Sequence, residues 1–96
     1  MTSPRLFIHR LIWDIWNMAH LARHDVIPDE VEEVCHAMPV TSQTYTGRIR
    51  VIGPTHSHRM LTVILAPTEE PGVYDPITAR PADRKERRSD EQQRGR

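Results

Sequence analysis

The chain contains one cysteine, four glycines and a single lysine among its thirteen basic residues. Each shortage closes off some chemistry. A lone thiol, Cys35, cannot form an internal disulfide, and without a cysteine pair there is no thiolate-based structural zinc site. So few glycines leave little room for a phosphate-cradling loop, and no such loop or Gly-x-Ser-x-Gly nucleophile elbow occurs. No apolar run approaches the ~18 residues of a membrane-spanning helix. The apolar stretch through Leu6, Phe7, Ile8, Leu11 and Ile12 is broken by His9, Arg10 and Asp14, and no small-residue cleavage site follows, so it does not read as a signal peptide. A cytosolic protein is expected. Net charge is zero over 96 residues, which argues against indiscriminate nucleic-acid binding driven by bulk charge.

The charge that is present is unevenly placed. Residues 25–33 hold five acids and no base, whereas residues 80–88 hold five bases and two acids. Arginine guanidinium groups at the end of a sheet suit phosphate oxygens, and they stay charged at any physiological pH. The plainer account of the basic run is a solvated helix of mixed charge.

Hydrophobic patterning predicts one domain over residues 1–88, followed by a polar, disordered tail over 89–96. Residues 5–13 are apolar enough for a first strand. Asp14 is a suitable N-cap for a helix reaching about Arg23. On that helix Trp13, Asn17, His20 and His24 share one side, and Ile15, Met18, Ala19 and Ala22 occupy much of the other. Asp25 suits a left-handed turn. Pro28 opens a second helix whose first turn is acidic, and Val31, Val34, Cys35 and Met38 form its apolar stripe until Pro39 ends it. Beyond residue 43 the period changes: Tyr45, Ile49 and Val51 suggest a half-buried strand flanked by Arg48 and Arg50. Gly53-Pro54 reads as a breaker, and Met60 to Ala66 as a central strand. After a turn over 67–72, Tyr74, Ile77 and Ala79 mark another strand, in which Pro76 implies an edge or a bulge. A last helix opens near Asp83. The expected fold is α+β: an antiparallel sheet of three to four strands against N-terminal helices, with a C-terminal helix.

Six histidines raise the possibility of a metal. His20 and His24 have helical i, i+4 spacing, and His56 and His58 alternate on a strand or loop. No glutamate lies between the helical pair as in zinc proteases. The stronger constellation joins arginine, histidine and glutamate. In an antiparallel pair, the start of one strand lies beside the end of the next, so Arg59 and Arg80 are expected to converge.

These residues resemble the BrnT family, RelE-like ribonuclease toxins of type II toxin–antitoxin pairs. The resemblance runs from Trp13-Asp14 through Asn17, Leu21-Ala22-Arg23-His24 and Val26 into the acidic helix. It resumes at Gly47-Arg48 and at Arg59-Met60-Leu61-Thr62-Val63, and closes with Ile77-Thr78-Ala79-Arg80-Pro81-Ala82 and Arg84-Lys85-Glu86-Arg87-Arg88. It implies a cytosolic endoribonuclease that uses no metal or other cofactor, is silenced by a ribbon-helix-helix antitoxin, and meets DNA only through that antitoxin. The catalytic residues it implies are His24, Arg59, Arg80 and Glu86, with Arg23, Arg84, Lys85, Arg87 and Arg88 binding RNA. RNA supplies its own nucleophile, the 2′-hydroxyl. The arginines would stabilise the phosphorane, and His24 or Glu86 would move protons. Relatives usually carry lysine at His20, glycine at Asp25 and serine or threonine at Ile27. These departures make a degenerate, non-catalytic module in a repressor complex the alternative, with a histidine-based metal-binding protein as a third reading.

Overall fold

The structure, a computed structural model, describes residues 7–37, 39–44 and 46–94. Met38 and Tyr45, assigned above to a helical stripe and a strand, lie outside these residues. Eight elements follow in order: β1 (Arg10–Leu11), α1 (Ile15–Ala22), α2 (Pro28–Cys35), β2 (Val40–Gln43), β3 (Ile49–Pro54), β4 (Met60–Pro67), β5 (Val73–Pro81) and α3 (Arg84–Arg94). Among the described residues no helix is long and apolar enough to cross a membrane.

The α+β class is as expected, but the sheet is larger and mixed. Five strands are ordered β1-β5-β4-β3-β2, with β2 through β5 an antiparallel meander and β1 parallel to β5. The long first strand reduces to β1, whose partners are Val73 and Tyr74. The strand expected after residue 43 is β3, and an additional strand before it, β2, pairs with it as a hairpin closed by a turn in which Gly47 has φ +81°. Gly53-Pro54 does not break the chain. Gly53 is buried and pairs with Leu61, and the reversal comes one step later, with Thr55 N–H donating to Arg59 O and His58 left-handed at φ 68°.

Pro76 is accommodated as its chemistry requires. Beyond Tyr74, among the described residues, no strand pairs with β5 on its outer side, so the absent N–H leaves no ladder bond unmade, and a register shift lies opposite at Ile64 and Leu65. The sheet has two unlike faces. Leu61, Val63, Leu65, Val51 and Ala79 pack against Leu21, Val26, Val31, Val34 and Cys35 of the α1–α2 layer to form the core. The other face carries Ile52, Thr62, Ile64, Thr78 and Arg80 and is only partly covered, by α3. Burial pushes the Cys35 thiol up to about 12, with Glu32 adding to the shift, so this cysteine is a packing residue.

Helix starts follow the local chemistry. Asp14 and Asn17 cap α1 reciprocally, Asn17 N–H to Asp14 Oδ1 at 2.9 Å and Asp14 N–H to Asn17 Oδ1 at 3.0 Å. Ile27 offers α2 no capping side chain, and Glu30 instead reaches back to accept its N–H at 3.2 Å. Asp25 makes the interhelical turn at φ 56°. Helix α3 runs through Arg94, past Ser89 where the polar tail was placed, and Asp90 within it is buried.

Candidate functional site

Arg59 and Arg80 are each held by a carboxylate of their own, on opposite faces of the sheet. Arg59, just before β4, points into the α1–α2 layer. Its Nη1 donates to Asp25 O at 2.6 Å and to Glu30 Oε1 at 3.1 Å, and its Nη2 donates to His24 O at 3.1 Å. The guanidinium thus satisfies carbonyls of the turn that follows α1 and ties that left-handed turn to the start of α2.

Arg80 lies on the other face. It pairs in register with Thr62, one position out of phase with the core residues Leu61 and Val63. Its Nη1 and Nη2 meet Glu86 Oε1 and Oε2 at 2.8 and 2.9 Å, a bidentate fork. Glu86 is buried and also accepts Asp83 N–H at 2.9 Å, while Asp83 Oδ1 accepts Glu86 N–H at 2.8 Å, which closes a capping box at the start of α3. Burial alone would raise the Glu86 carboxyl. The Arg80 hydrogen bonds, the Asp83 N–H, the neighbouring Thr62 hydroxyl and the Arg80 charge outweigh it and hold the group below the usual carboxylate range. The same hydrogen bonds raise Arg80 against the opposing effect of its partial burial.

The expected convergence of Arg59 and Arg80 is therefore corrected. Both stand at the same end of the sheet, as antiparallel pairing dictates, but the sheet lies between them. Strand period 2 sends neighbours of opposite parity to opposite faces, and sequence position gave the end but not the face. His24 follows Arg59: it is exposed beside the α1–α2 turn, on the face away from Arg80. Arg23, at the C-cap of α1, is exposed there too. The four candidate catalytic residues thus divide into Arg59 with His24, and Arg80 with Glu86. Glu86 is a poor proton acceptor, because three donors already occupy its oxygens.

Arg84, Lys85, Arg87 and Arg88 are all exposed on α3, and Arg84, Arg87 and Arg88 with Glu91 line an open recess of about 430 Å³. A residue that sequence reasoning left unassigned joins this side. Arg50 pairs with Ile64, which pairs with Thr78, so Arg50 shares the face of Thr62 and Arg80. Its Nε donates to Ser42 Oγ at 3.3 Å. The signal was the alternation of Arg48, Arg50 and Ile52 against Ile49 and Val51, which assigns a face only once the partner strand is known.

The histidines do not gather. Glu33 engages His56 through the backbone N–H at 2.8 Å and Nδ1 at 3.6 Å, and Glu32 lies 3.3 Å from His36 Nδ1. Among the described residues no group of three or more histidine, cysteine, aspartate or glutamate side chains is placed to hold a metal. In comparisons with known proteins, no family model and no curated protein matches the chain.

Proposed function

We propose that this chain is a BrnT-like interaction module that does not cleave RNA and acts by binding a ribbon-helix-helix partner protein, through which it would reach DNA. The observation that carries this reading is the division of the four candidate catalytic residues between two faces. Each guanidinium is already neutralised by a carboxylate, and Glu86, the acid that meets Arg80, has its oxygens occupied by that arginine and by the Asp83 N–H. The resemblance described above supplies the partner class. The test is co-expression with a neighbouring ribbon-helix-helix reading frame, followed by assay of the purified chain on RNA with and without EDTA. Co-purification with intact RNA and unimpaired growth is expected. Cleavage that persists in EDTA and disappears in Arg80→Ala would reverse the assignment.

One observation favours a second reading, the metal-independent RNA-cleaving toxin. Arg50 and Arg80 share the half-open sheet face, and the basic side of α3 flanks it. Phosphates could lie along that surface, with the arginines supplying charge stabilisation. In that case Arg59 and His24 act only as scaffold, so Arg50→Ala would cripple cleavage and His24→Ala would not.

A further inference from the structure

Helix α1 turns its apolar stripe outward. Ile15, Met18, Ala19 and Ala22 recur at i, i+3, i+4 and i+7, the spacing that normally faces a core, yet all four are exposed. Ile15 is 78% and the adjoining Trp16 81% accessible. The helix is anchored from beneath by Leu21 and by Asn17, whose Nδ2 donates to Ile12 O at 2.7 Å. A single exposed apolar residue needs no explanation, but a helical stripe with a tryptophan beside it is the usual form of a protein-binding surface.

The surroundings specify the occupant. Asp14, Trp16, His20, Asp75 and Ile77 border a recess of about 190 Å³ between α1 and β5. Among the described residues Asp14 Oδ1 and Asp75 Oδ1 each accept only from Asn17, at 2.9 and 3.3 Å, and neither carboxylate is in an ion pair. Residues 14–33 contain six acids against one permanent cation, Arg23. A second copy of the chain would match the charge through α3 but not the apolar stripe, because residues 84–94 hold no apolar side chain. The occupant must be basic and apolar at once.

We propose that the outward face of α1, with the Asp14–Asp75 recess at its edge, is the docking site for a basic amphipathic helix of a partner protein. Its apolar side chains would cover Ile15, Trp16 and Met18. An arginine or lysine at its flank would enter the recess, against both carboxylates and the Trp16 indole. The proposal rests on the interaction-module reading and adds the surface and the chemistry of the partner.

The probe is a synthetic helical peptide with leucines on one face and lysine and arginine on its flanks, beside a twin with glutamate at every basic position. Both are titrated into the intact chain by calorimetry, with backbone amide NMR shifts recorded. Saturable binding of the basic peptide is expected, with shifts centred on α1 and Asp75. The acidic twin should bind at least about tenfold more weakly. Ile15→Asp and Asp75→Asn change accessible side chains, and circular dichroism verifies that each variant is folded. Each should weaken the basic peptide, Ile15→Asp by about tenfold or more. Equal affinity for the twins, absence of binding, or binding unchanged in both folded variants overturns the proposal. The outcome separates from that of the functional reading. If the ribbon-helix-helix protein fails to co-purify while the peptide still docks on α1, the partner class falls and the surface stands. The reverse result removes the surface alone.

Discussion

Arg59 connects three backbone and side-chain groups from the α1–α2 turn to the start of the central strand, and that is a folding task. Removing the guanidinium leaves the carbonyls of His24 and Asp25 without that donor and the Glu30 carboxylate with only the Ile27 N–H among the described residues. Arg59 is 31% and Glu30 18% exposed, so water replaces part of what is lost. Arg59→Ala is expected to lower unfolding free energy by about 1–2 kcal/mol, measured by urea denaturation. A change within about 0.3 kcal/mol would show that the contact is passive. Glu86 gives a pH signature instead. Its folded-state carboxyl is depressed below an unfolded value of about 4.3. The stabilisation is thus fully present above that value and is lost as pH falls through the lower, folded-state one. Urea midpoints of the native chain should fall over this acidic window, and Glu86→Gln should flatten that part of the profile while being less stable at neutral pH. A profile of the same slope in both would remove Glu86 as its source.

Among elements, the turns show how position decides what a residue type costs. Gly47 and Gly72 share φ +81°, where a side chain is strained by about 1 kcal/mol. A Cβ at Gly47 meets nothing within 4 Å, whereas one at Gly72 would lie 3.0 Å from His9 Cβ and 3.3 Å from Phe7 Cδ2. Gly72 also accepts the N–H groups of His9 and Arg10 at 2.7 and 3.1 Å, fastening the segment that leads into β1. Gly47→Ala is expected to cost about 1 kcal/mol and Gly72→Ala roughly 2–3 kcal/mol. Thermal melts of the two variants supply the comparison, and equal losses would mean that the N-terminal segment moves aside freely. Helix α1 makes the same point about faces: its 3.6-residue period was visible in the sequence, but which side it presents to the sheet depended on where Asn17 and Leu21 found partners.

For the molecule as a whole, the sheet is a partition. One face is closed by α1 and α2 over the core, and Arg59 lies at that layer's edge. The other is half open and carries Arg50, Arg80 and the basic side of α3. The second reading, in which RNA is the partner, assigns it to the open face. Filter retention of labelled RNA at low salt is expected to fall about threefold or more in Arg50→Ala and Arg87→Ala, and to stay near the native value in Arg59→Ala. Equal loss in all three would place the RNA across both faces and revive a shared site.

The caps, both left-handed and proline-bounded turns of the helical layer, the central strand and the basic last helix were all written locally, in Asp14, Asp25, Pro28, the apolar run of β4 and the residues after Asp83. Short-range chemistry settles such features, because a capping carboxylate or a fixed φ acts within a few residues of itself. The parallel edge strand, the β2–β3 hairpin, the passage of Gly53-Pro54 through a strand and the separation of Arg59 from Arg80 were decided by pairing between distant segments. A side chain's face depends on its partner strand's register, and a shift of one residue exchanges the two faces. The sequence by itself determined which residues carry charge and at which end of the sheet they gather; only the tertiary structure decided which of them share a surface.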